Sequence, residues 1–151
     1  MSRRATARPA AAVPAVVFDT RVLLRALLRS DASALALRQA WQQGRCQALV
    51  NPASARALML ALACPALGLS ATQQHELLAD FLPYATVMPA PRTAPAGAGF
   101  GSLALALARS VPGGLLVSDS AALRARFVRM SAGPGRAGTV SLGSEEFLAG
   151  L

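Results

Sequence analysis

The chain contains no lysine, few aromatic residues and only seven acidic side chains among its 151 residues. All 15 basic side chains are arginine, so the formal net charge is +8 at pH 7. Such a surplus attracts phosphate groups, acidic proteins or anionic surfaces. Because the arginines occur singly rather than in one dense run, they are typical of solvated faces in a chain with GC-rich coding. A dedicated nucleic-acid-binding stripe is the alternative.

Long apolar runs and cysteine motifs are also absent. No stretch has 18 or more consecutive apolar residues, which argues against a membrane-spanning helix. The two cysteines, Cys46 and Cys64, form no C-x-x-C motif. They predict free, buried or half-buried thiols in a reducing cytoplasm. With aromatic residues at 5% of the chain, we expect Trp41 and Tyr84 to be core or interface anchors.

The length suits one domain that buries a substantial core. Residues 1–14 resemble a signal peptide only superficially, because Pro9 and Pro14 interrupt the alanine-rich run behind the first arginines. We predict a disordered basic arm there, followed by a single domain over residues 15–151.

One pattern occurs twice in the chain. Residues 16–18 are an apolar run that ends at Asp19, and an amphipathic segment with helical spacing follows immediately. Residues 115–117 are a second apolar run, which leads through Ser118 to Asp119. Each reads as a buried strand that delivers a carboxylate to its carboxyl end, where open α/β sheets hold their ligands.

Short strands and helices alternate along the remainder of the chain. This alternation predicts a three-layer α/β sandwich with a mainly parallel central sheet. Strands are predicted over 15–18, 47–51, 86–88, 115–118 and 139–142. Helices are predicted over 21–28, 32–43, 52–63, 71–82, 102–109 and 121–130, with loops over 89–101 and 133–138 and a capped turn over 144–148.

Four blocks of the sequence resemble PIN domains. Residues 18–23 (FDTRVL) are similar to the family's first motif, in which a strand ends in D-T-N. The other blocks match the PIN subgroup of toxin components from toxin–antitoxin pairs, and they are 49–70, 115–123 (LLVSDSAAL) and 140–148 (VSLGSEEFL). The resemblance covers about residues 16–148, in order and with natural spacing.

The resemblance implies a ribonuclease in which three or four carboxylates bind Mg²⁺ or Mn²⁺. The metal would generate a hydroxide and neutralise charge on the phosphate. Asp19 and Asp119 match the first and last acids, as catalytic residues and metal ligands. The residues expected beside the site are Thr20, Arg21 and Ser118, and those expected on the RNA backbone are Arg25, Arg124 and Arg126. A homodimer and an antitoxin-like protein partner are further implications.

The other acids of the family pattern are missing here. The helix acid falls at Ala57, and a run of three further acids falls at Ala94, Ala96 and Gly97. Arg21 stands where the first motif has asparagine, and its charge would lower the affinity for Mg²⁺. We therefore expect impaired or lost cleavage.

Two alternatives remain open for these residues. The protein would be a non-catalytic module that binds RNA or a protein partner. Independently of function, Asp19 and Asp119 would cap the helices that follow them, with help from Thr20 or Ser120.

Overall fold

The computed structural model describes residues 13–89, 100–111, 114–131 and 140–151. The predicted loop over 133–138, most of the loop over 89–101 and nearly all of the predicted basic arm lie outside this description. The strands are β1 (Ala15–Phe18), β2 (Gln47–Val50), β3 (Thr86–Val87), β4 (Leu115–Val117) and β5 (Val140–Leu142). The helices are α1 (Thr20–Leu28), α2 (Ala32–Gln42), α3 (Pro52–Leu62), α4 (Ala71–Ala79), α5 (Phe100–Ser110), α6 (Ala121–Ser131) and α7 (Ser144–Ala149).

The five strands form one sheet in the order β3-β2-β1-β4-β5, and every neighbouring pair is parallel. The predicted α/β sandwich is thus confirmed. From β1 the chain moves outward to β2 and β3, then crosses to the other side of β1 for β4 and β5. This order places the topological switch point between β1 and β4, at whose carboxyl ends Asp19 and Asp119 follow.

Both faces of the sheet are buried, as expected of a parallel sheet under helices. Val16 and Phe18 belong to the core on one face, together with residues of α1, α2, α3 and α7. Val17 belongs to the other core, together with residues of α5 and α6. Because successive strand side chains point to opposite faces, a four-residue strand serves both cores.

Aromatic rings organise the larger core. Trp41 lies edge-on to Phe18 at 5.6 Å between ring centroids and to Phe81 at 4.9 Å. Phe18 also packs edge-on against Phe147 of α7 at 5.5 Å. Such pairs add about 0.5–1.5 kcal/mol each beyond their area burial. Trp41 is therefore the predicted core anchor, whereas Tyr84 is 47% exposed and is not part of the core.

Three helical segments differ from the sequence prediction by more than one residue. Helix α4 ends at Ala79, three residues before the predicted end at 82. Helix α5 begins at Phe100, two residues earlier than predicted. The predicted terminal turn is a six-residue helix, α7, because the Glu146 carboxylate accepts the Gly143 backbone N–H at 3.0 Å and closes the first turn.

Both cysteines are free thiols, as predicted. Cys46 is buried beside β2, whereas Cys64 is exposed, so the prediction of burial is wrong for Cys64. The helices of the described residues are all too short or too polar to cross a membrane.

Candidate functional site at the sheet switch point

Asp19 is held by β4 at the switch point. The residue is only 3% exposed, and its backbone N–H donates to the Val117 carbonyl at 2.9 Å. The fully buried Ser118 hydroxyl donates to Asp19 Oδ2 at 3.0 Å and accepts the Ser120 N–H at 3.1 Å. Thr20 and Ser118, which the resemblance places beside the site, are both buried here.

Asp119 makes a different set of contacts. Its Oδ1 accepts the Ser144 backbone N–H at 2.8 Å, and the Ser144 hydroxyl lies 2.9 and 3.0 Å from the two carboxylate oxygens. Arg25 Nη1 lies 3.2 Å from Asp119 Oδ2. Arg25 Nη2 donates to Ser144 Oγ at 2.7 Å, which closes the triangle. We call these three residues the Arg25–Asp119–Ser144 cluster, and it joins α1, the end of β4 and α7.

Neither acid caps the helix that follows it. Asp19 occupies the N-cap position of α1, but its side chain makes no capping bond. At the start of α6 the Ser120 hydroxyl accepts the Leu123 N–H at 3.2 Å. The capping expectation is thus wrong for both carboxylates and confirmed for Ser120, while Asp119 binds the first N–H of α7 instead.

The arginines predicted near the site have different environments. Arg25 and Arg124 are engaged within the protein, since Arg124 Nη1 donates to the Ser118 carbonyl at 2.7 Å. Arg21 and Arg126 are exposed. The sequence pointed to Arg21 as the cation near the acids. The observed ion pair uses Arg25 instead, which lies one helical turn further on the same face of α1.

The side chains at this edge do not fit the Mg²⁺ site that the resemblance implies. Ala57 is buried at 3% exposure, and 94–97 lie outside the described residues. Beside the carboxyl ends of β1 and β2 lies a nearly closed cavity of about 10 Å³, lined mainly by apolar side chains. Within the described ranges no three acidic, histidine or cysteine side chains are grouped closely enough to hold a metal ion. A hard divalent cation needs several oxygen ligands, and Asp119 already binds a guanidinium.

The exposed arginines are largely free of acidic partners. The ion pair between Arg25 and Asp119 is the single salt bridge among the described residues. The exposed arginines in this part of the chain are Arg21, Arg29, Arg45, Arg56, Arg126 and Arg129. Their charge therefore faces solvent.

No family model matches the sequence. No curated protein matches it significantly. The chain is similar in structure to the crystal structure of PAE2754 from Pyrobaculum aerophilum, at a TM-score of 0.50 and 17% sequence identity, over 91% of this chain and 88% of that chain. At this identity the likeness supports the α/β fold alone.

Proposed function

We propose that the protein is a PIN-like module that binds RNA and has lost metal-dependent cleavage. The contact between Arg25 and Asp119 at 3.2 Å carries this proposal, because it places a fixed cation on the carboxylate that the resemblance assigns to the metal. Asp19 is buried against Ser118, which leaves little of its carboxylate open to a hydrated ion. In the described part of the site, the two carboxylates are thus bound by different protein groups and do not form one shared site for a cation.

The charge of the chain supports RNA as the ligand. The chain has 15 arginines and seven acidic residues, and one ion pair forms within the described residues. Exposed guanidinium groups bind phosphate oxygens, and the release of counterions from the nucleic acid favours association. Binding of this kind contacts the phosphate backbone of the RNA and requires no catalytic metal.

The test is cleavage and binding measured on one labelled single-stranded RNA. We expect the RNA to stay intact with Mn²⁺ and to bind by fluorescence anisotropy. Arg126→Gln/Arg129→Gln should weaken binding, since both arginines are exposed on α6. Glu145→Gln, which changes an exposed charge of opposite sign, is the control. Cleavage that requires Mn²⁺ and disappears in Asp19→Asn would refute the loss of activity.

A protein partner is a second candidate, favoured by a groove of about 240 Å³ between the end of α1 and α4. Leu27, Leu28, Leu69 and Leu77 line it, with Glu76 and Asp80 at its rim. Helix α4 has no fully buried residue. Residues 57–91 contain no arginine or lysine, so the α4 side of the groove carries acidic charge within a basic chain.

The groove suits an amphipathic helix with leucine anchors and flanking basic residues. A synthetic peptide of that pattern should bind the wild type, and Glu76→Gln/Asp80→Asn should weaken that binding several-fold. Glu145→Gln/Glu146→Gln removes the same charge on α7 and should leave it unchanged. Equal affinity of the two double variants for the peptide would exclude this groove as its binding site.

A further inference from the structure

We propose that Arg25 is a tethered counter-cation for Asp119, so that the chain itself supplies the positive charge at this carboxylate. Divalent cations then reach Asp119 only when the guanidinium is removed. The inference rests on the Arg25–Asp119–Ser144 cluster and does not depend on RNA binding.

The geometry of Arg25 supports this role. The side chain is 30% exposed. Its two terminal nitrogens contact three residues, Asp119 at 3.2 Å, Ser144 at 2.7 Å and, more weakly, the Ser33 hydroxyl at 3.4 Å. Its Nε is buried without a hydrogen bond among the described residues. A buried donor left without a partner is unfavourable. The carboxylate and Ser144 therefore determine where the guanidinium lies.

Arg25 is the charged partner of Asp119 among the described residues. Ser144 adds two neutral donors, its backbone N–H and its hydroxyl. Without Arg25 the same edge presents carboxylate and hydroxyl oxygens, which are the ligand types of Mg²⁺ and Mn²⁺.

The experiment compares thermal unfolding with and without millimolar Mn²⁺. Arg25→Gln removes the charge and keeps a long polar side chain. Arg21→Gln is the matched control, since it is the same change one turn earlier on α1 at an exposed position. We expect Arg25→Gln to lower Tm by at least about 2–4 °C. Mn²⁺ should recover part of this loss in Arg25→Gln and leave the wild type, Arg21→Gln and Arg25→Gln/Asp119→Asn unshifted. Arg25→Lys should behave like the wild type toward Mn²⁺.

Two results would overturn the proposal. The first is an Arg25→Gln variant that Mn²⁺ does not stabilise, or stabilises no more than it does the wild type. The second compares the wild type with Asp119→Asn, so it can be measured even where Arg25→Gln fails to fold. Titration of Mn²⁺ followed by electron paramagnetic resonance should show no bound ion that Asp119→Asn removes, and such an ion would contradict occupancy by Arg25. Neither result bears on whether the protein binds RNA, and cleavage is tested separately by the RNA assay with Mn²⁺ and Asp19→Asn.

Discussion

At the scale of single residues, Asp19 and Asp119 follow neighbouring strands but differ in environment. Asp19 is buried and bonded to Ser118, whereas Asp119 is 43% exposed and bonded to Arg25 and Ser144. The difference arises because Ser118 lies in the interior beside β1, while the side chain after it faces α7. Two acids with the same sequence context therefore have separate structural roles.

The bond between Ser118 and Asp19 should contribute measurably to stability. Ser118→Ala removes a buried donor to a carboxylate, so we expect a loss of about 1–3 kcal/mol in the free energy of unfolding by urea. Ser141→Ala is the control, because the hydroxyl of Ser141 makes only a 3.5 Å contact with the Arg124 carbonyl. Equal stability of the two variants would show that Asp19 does not depend on Ser118.

Burial raises the pKa of the Cys46 thiol from 9.0 to about 11. Above pH 9 the unfolded chain loses this proton while the folded chain keeps it, so stability should fall as pH rises from about 9 to about 11. The chain has no lysine and one tyrosine, so few other groups titrate in this window. Urea unfolding at several pH values should show the decline, and Cys46→Ala should flatten it. A decline of the same slope in Cys46→Ala would assign the pH dependence to another group.

At the scale of elements, α7 is the one whose role the sequence underestimated. The sequence predicts a capped turn over 144–148, whereas the structure has a six-residue helix there. The helix is stable through contacts distant in sequence, namely Phe147 against Phe18 and Ser144 against Asp119. No local sequence pattern predicts that α7 contacts Phe18 and Asp119.

Phe147 should anchor α7 to the core. It is 2% exposed, so Phe147→Ala should cost about 3–5 kcal/mol in the free energy of unfolding, from lost burial and the cavity left behind. Glu145→Ala, at an exposed position on the same helix, should change it by less than about 0.5 kcal/mol. Denaturation by urea measures both, and similar losses in the two variants would mean that α7 is not anchored by this ring.

At the scale of the whole molecule, strand and helix order could be read from the sequence because periodicity and capping residues are local signals. Asn51 before Pro52 marked the start of α3, and the Asn51–Ser54 capping box is present. The Arg25–Asp119 pair could not be predicted, since the partners lie 94 positions apart in the sequence and the resemblance to PIN domains placed Arg25 on the RNA backbone. The fold was thus predictable from local sequence patterns, whereas the side-chain contacts within the site were not.

The proposed function is that this basic α/β protein, whose site carboxylates are bound by Ser118 and Arg25, binds RNA without cutting it. The most direct measurement is the affinity for one labelled single-stranded RNA as salt is increased, with Mn²⁺ present and the RNA length checked by gel at the end. We predict intact RNA and a linear fall of log affinity with log salt, with a slope of about −0.7 for each phosphate contact. RNA fragments that depend on Mn²⁺ and Asp19, or an absence of binding at low salt, would contradict the proposed function.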